Sequence, residues 1–225
     1  MNNAIRDNRQ ARLIEALADP QSSTRLQAAL AAGTHPDDAL VDVLVDCCAV
    51  EPDFFVRDML TWALTRCAAG VTIARLLREL TSPTAQARSQ ALHTLSKIGD
   101  HTVWAKVPSG LLHDPDDDVA RSAWRVATVL APYEKRDVLA RELATELGRG
   151  DRDTRRSLSR ALITLGDAVV PLLAAARSGR TPEVREHAVA TEHLMEDPDS
   201  DFSAAVDQAR RTLSLKDAPS PGTKC

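Results

Sequence analysis

At 225 residues the chain has room for one or two domains, and with 44% hydrophobic but only 3% aromatic residues its core must be built from closely packed Ala, Leu and Val, which suits helices. A net charge of −4 argues against a protein that coats nucleic acid through its overall field, while leaving room for a local basic patch. Twenty-three Arg against five Lys point to a high-GC, bacterial type of coding bias, and the absence of any apolar run of about 18 residues or of a signal pattern at Met1 to Asp7 leads us to expect a cytoplasmic chain with no membrane partner.

A first helix is expected over residues 3 to 18, with Ile5, Leu13, Ile14 and Leu17 inward and Arg6, Arg9 and Arg12 outward, as a terminal cap. From Asp19-Pro20 a repetition sets in. Prolines fall at Pro20, Pro52, Pro83 and Pro115, at intervals of 32, 31 and 32 residues, and Gly150 takes the equivalent place 35 residues on. Five residues after each stand Arg25, Arg57, Arg88, Ala120 and Arg155, and three further on the small or apolar Ala28, Leu60, Ala91, Ala123 and Leu158; Pro182 to Ala188 is a sixth copy with its proline nearer. The clearest copy, Asp53 to Cys67, carries an N-cap aspartate, an apolar stripe at Val56, Met59, Leu60, Ala63, Leu64 and Cys67, and an opposite face of Asp58, Trp62 and Arg66. Second helices lie between copies, marked by Leu40 to Cys47, Leu76 to Leu80, Val103 to Leu112, Val138 to Leu147 and Val169 to Leu173. Pro108 and Gly110 must kink or shorten the third of these. Gly33, Gly99 and Gly166 are read as left-handed helix stops. Phe202 to Leu213 forms a C-terminal capping helix, and the aperiodic residues 216–225 are expected to be disordered.

Each repeat is thus a helical hairpin, and the recurring turn-Pro-Asp, Val-Arg-x-x-Ala, Ala-Leu, Gly-Asp pattern resembles the HEAT-repeat family, in the short HEAT-like form first associated with phycobilin lyases. The resemblance covers residues 19 to 195 and is carried best by Asp53 to Cys67, Thr84 to Asp100, Asp151 to Asp167 and Glu183 to Leu194. It implies an all-α, right-handed α-solenoid superhelix of about six hairpins, with second helices along a concave face, and it implies no reaction. The organisation expected is a capping helix over 1–18, an array over 19–199, a second cap over 200–215 and the tail, as one domain. Departures are Ala120 in the arginine position, with Arg121 one place late, and Gln21 or Ser22 where an aspartate would cap; the inter-repeat polar ladder should be weakest at those two copies.

The repeat arginines read as structural, capping turns or bridging neighbouring repeats. Of more functional interest is the column six residues after Thr24 and its equivalents: Leu30, Trp62, His93, Arg125, Arg160 and Ala190, expected to face away from the core. One turn away lie Asp58, Ser89, Arg121 and Arg156, with Arg66 and Lys97 beyond. Residues 119 to 160 hold ten Lys and Arg against six Asp and Glu, a net of +4, so the charge is segregated. The candidate binding surface on the concave face is therefore Trp62, Arg66, His93, Lys97, Arg121, Arg125, Arg156 and Arg160, reading as a groove for an acidic protein segment or for phosphates, or else as an ordinary solvated helix face. Phe54 and Phe55 sit where polar residues are usual, one as a hydrophobic staple and one as an exposed contact, which together with the terminal helices would also serve assembly into a larger complex. Trp104 and Trp124 are expected to fill space beside alanines.

No catalytic constellation stands out. Glu186-His187 and Glu192-His193 lie on one helix with histidines on different faces, so no metal or cofactor is expected. Cys47, Cys48, Cys67 and Cys225 follow neither a disulfide framework nor a zinc spacing and read as reduced thiols. The function expected is a non-catalytic protein-interaction scaffold. The alternative is a nucleic-acid binder or diverged HEAT-like DNA glycosylase, with Asp58 near Trp62 beside the basic strip.

Overall fold

The computed structural model describes residues 2–198 and 200–216; most of the expected disordered tail, with Cys225, lies outside them. Among the described residues the chain is helical throughout, with no strand. It divides into two compact units, Met1–Leu130 and Ala131–Cys225.

The first unit holds α1 (Asn2–Leu17), α2 (Ser22–Thr34), α3 (Val41–Val50), α4 (Phe54–Arg66), α5 (Ala69–Glu79), α6 (Ala85–Ile98) and α7 (Asp117–Leu130). The arginine-bearing helices pack in order, α2 on α4, α4 on α6 and α6 on α7, while α3 and α5 pack behind them. Their contact positions are small or aliphatic: Ala28, Leu60, Ala91 and Ala123 are all buried, which lets neighbouring backbones approach closely. Trp124, fully buried, anchors α7 by donating its indole N–H to the Leu112 carbonyl at 2.9 Å. The segment around Pro108, expected as a second helix, is instead two 3-10 turns, His101–Lys106 and Ser109–His113, because the proline can neither donate nor continue the first turn.

The second unit holds α8 (Arg136–Ala144), α9 (Arg152–Thr164), α10 (Val170–Arg177), α11 (Pro182–Glu196) and α12 (Phe202–Lys216). Here α11 packs on α9, α10 and α12, and Val189, Ala190 and Leu194 form one apolar cluster with Phe202, Ala205 and Ala209.

Helix ends follow local chemistry. Asp53 caps α4 by accepting the Phe55 and Val56 N–H groups at 2.8 and 3.2 Å, and Asp151 caps α9 through Thr154 N–H at 2.9 Å. Gly99 and Gly166, at φ 72° and 70°, make the expected left-handed stops. Gly33 does not. It lies inside α2, where the Trp62 indole rests on it so closely that a Cβ would fall 2.2 Å from Cζ3. Three other burial expectations fail: Ile14 is 41% exposed, Ser89 is buried against α7, and Ala190 is buried because α12 covers its side of α11.

A polar ladder stitches the turns of the first unit. Arg25 donates Nη1 to the Asp19 and Pro20 carbonyls, and its Nε and Nη2 form a bidentate pair with Glu51, both at 2.7 Å. Arg88 repeats this with the Ser82 and Pro83 carbonyls and with Asp114, both carboxylate bonds at 3.0 Å. Glu51 is 4% exposed, and the Arg25 hydrogen bond, against the opposing effect of burial, holds its carboxyl below the ordinary range. The first copy is therefore a strong rung rather than a weak one: Gln21 gives α2 no side-chain cap, but the downstream carboxylate is present. At the fourth copy Ala120 is fully buried in the arginine position, and Arg121 reaches Asp118 at 3.3 Å.

Candidate functional site

Ser89, a small residue on α6, lets α7 come close; its hydroxyl lies 3.1 Å from the Asp118 carbonyl and 3.0 Å from Ser122 Oγ. The approach of α4 to α6 is looser. Gln86 of α6 reaches instead to the end of α3, donating to the Cys48 and Glu51 carbonyls at 3.0 and 2.8 Å, and it lines a cleft of about 540 Å³. Phe54, Arg57, Asp58 and Thr61 form its α4 wall; Gln86, Ser89, Gln90 and His93 come from α6; Asp116, Asp118, Arg121, Ser122 and Arg125 come from the α7 side. The size suits a small molecule or a peptide side chain, and the lining is largely polar.

Charges in the cleft are not equally available. Asp116 caps α7, accepting the Asp118 and Val119 N–H groups at 3.0 and 3.2 Å, and Asp118 pairs with Arg121. Arg125 donates to His93 Nδ1 at 3.1 Å, which fixes the ring as a neutral acceptor at that nitrogen. Burial, then the Arg125 and Lys97 charges, push the His93 pKa down to about 4, with Asp58 opposing. Arg57 donates Nη1 to the Glu51 and Pro52 carbonyls, both at 2.8 Å, and among the described residues its Nε and Nη2 meet no carboxylate. On the floor, Thr61 is 3% exposed, and its hydroxyl has no hydrogen-bond partner among the described residues.

The sequence-derived surface residues fall into several places. His93, Arg121 and Arg125 come together in this cleft, with Phe54 at its rim. Trp62, 36% exposed, packs over Gly33, and Lys97 is exposed in the last turn of α6. Arg66 lines a separate hollow with Arg9, His35, Asp37 and Asp38. In the second unit, Arg156 and Arg160 border a smaller hollow, about 320 Å³, with Asp201 and Phe202. Phe54 and Phe55 are 65% and 69% exposed and meet edge to face at 5.6 Å, so neither acts as a staple.

Sequence reasoning passed over Arg57, Gln86, Gln90, Asp116 and Asp118 as site residues. A signal for Arg57 was present in the residue before each repeat proline, which reads Asp19, Glu51, Ser82 and Asp114.

The doublet histidines part company: His187 is buried, and His193 is half-buried on the same helix. Among the described residues there is no group of three His, Cys, Asp or Glu side chains able to hold a metal, and no helix long and apolar enough to cross a membrane. Cys48 and Cys67 are free and buried, Cys47 is half-buried, and burial raises the pKa of each thiol.

No family model matches the chain, and no curated protein matches it. Among solved structures, the crystal structure of an engineered protein aligns with 88% of this chain and 96% of its own length at 17% identity and a TM-score of 0.46, a likeness from which neither helix arrangement nor activity carries over.

Proposed function

We propose that the chain is a non-catalytic, cytoplasmic scaffold of the HEAT-like kind, a right-handed solenoid in which the α4–α6–α7 cleft receives an extended, acidic segment of a protein partner. One observation carries the reading: the charges left over in the cleft are two guanidinium edges against one carboxylate. Asp116 and Asp118 are engaged and Asp58 makes no hydrogen bond or ion pair among the described residues, whereas Arg57 and Arg125 keep part of their guanidinium edges open toward the groove. The free thiols suit a reducing compartment. A nucleic-acid partner is the second reading, carried by the same Arg121 and Arg125; the aspartates beside them oppose either anion, and a steep loss of binding with salt marks phosphate contacts.

Fluorescence anisotropy with a labelled deca-glutamate peptide tests the proposal. Arg125→Glu should weaken binding by about tenfold or more, leaving far-UV circular dichroism unchanged. Equal affinities for the two proteins, or no binding by either at low salt, would overturn it.

A further inference from the structure

We infer that a carboxylate supplied by the partner completes the ladder rung of Arg57; this rests on the acidic-segment reading above and names the contact that would define it.

The ladder itself supplies the template. At each turn the residue before the repeat proline accepts the backbone N–H two residues on: Asp19 from Gln21 at 2.8 Å, Glu51 from Asp53 at 2.9 Å, Ser82 from Thr84 at 3.3 Å and Asp114 from Asp116 at 3.0 Å. These four positions are therefore structurally equivalent. The arginine one repeat upstream uses the same acid a second time, with Arg25 forking onto Glu51 and Arg88 onto Asp114. For Arg57 the downstream residue is Ser82, whose hydroxyl serves the turn but brings no negative charge. Arg57 keeps the two carbonyl bonds of its siblings, to Glu51 and Pro52, so its guanidinium is held in the same way while the carboxylate-binding edge is left unfilled. It is also the ladder arginine that lines the cleft; Arg25 and Arg88 do not. A glutamate or aspartate side chain of an extended segment, entering between α4 and α6, would meet a preorganised fork.

Ser82→Glu tests the inference without removing the arginine, since it supplies within the chain the carboxylate that Glu51 supplies to Arg25. Binding of the labelled deca-glutamate peptide should fall at least about tenfold in Ser82→Glu and in Arg57→Ala, and the melting temperature of Ser82→Glu should rise as the rung closes. If the natural chain binds the peptide and both variants bind it equally well, the inference is wrong while the acidic-segment reading stands. If the natural chain binds no peptide at low salt, both fall. Binding of an oligo-dT strand that is stronger than that of the peptide, and insensitive to Ser82→Glu, overturns the choice of a protein carboxylate.

Discussion

Acid should loosen the second unit through His187. This imidazole is 1% exposed on α11, and its Nδ1 accepts the Gly148 N–H at 3.0 Å. The neutral ring therefore carries its proton on Nε2, which faces the Arg155 carbonyl at 2.9 Å and Ser159 Oγ at 3.0 Å. Burial, aided by the Arg155 charge and opposed by the Arg155 carbonyl, lowers its pKa from 6.5 to about 4. A second proton would have to enter at Nδ1, where an N–H already points. The unfolded chain takes up a proton near pH 6.5 and the folded chain resists to about pH 4. The contribution to stability is thus complete above the upper value and is lost as pH falls through that window. At about 1.4 kcal/mol per pH unit the full loss is about 3 kcal/mol, with about 2 kcal/mol gone by pH 5. Urea unfolding at about pH 7.5 and about pH 5, on the natural chain and on His187→Gln, isolates this effect because all other titrating groups, His93 included, are shared. The natural chain should lose about 2 kcal/mol more than the variant; equal losses would refute the assignment of a buried neutral imidazole.

Gly33→Ala should destabilise by about 1 kcal/mol and shift tryptophan emission to the red, because expelling Trp62 outweighs a helix-propensity gain of about 1 kcal/mol. Gly70→Ala, with open space around its Cβ, should instead gain about 0.5 kcal/mol, and thermal melts of the pair check both signs. Arg25→Ala leaves the Glu51 carboxylate with only the Asp53 N–H and should lower the denaturation midpoint more than Arg57→Ala, which gives up two carbonyl bonds and should cost about 1 kcal/mol; similar midpoints would contradict the difference between the rungs. Trp124→Phe leaves the Leu112 carbonyl without its donor and a gap in the core, for an expected loss of about 2–3 kcal/mol by urea titration.

The helices and their order were legible because the determinants are local. Asp53 and Asp151 announce caps, Gly99 and Gly166 announce stops, and a spacing of about 32 residues places Ala28, Leu60, Ala91 and Ala123 in the same buried role. The errors come where a second element decides. Gly33 looked like a stop and proves to be the floor under Trp62, a fact held by α4 rather than by α2. Ala190 belongs to an outward-facing column in a helical projection, and α12 closes over it. Arg66 stands two turns from Asp58 on the same helix, yet the hollow it lines is shared with α1 and α2, while Asp58 lines the cleft with α6 and α7.

The arginine column shows why residue type alone could not separate scaffold from site. Arg25, Arg57 and Arg88 have the same spacing from their prolines and the same pair of carbonyl bonds, so sequence assigns them one role. What differs lies a repeat away. Glu51 and Asp114 each perform two tasks, closing a turn through one oxygen and neutralising an upstream guanidinium; Ser82 keeps the first task and drops the second. A serine there preserves the path of the chain into α6 while leaving Arg57 charged and uncompensated beside the cleft. Had the turn required a carboxylate for its own geometry, the rung could not have been opened without disturbing the helix that follows. Because a hydroxyl suffices for the turn, substitution at Ser82 alone should switch Arg57 between a structural and a binding role.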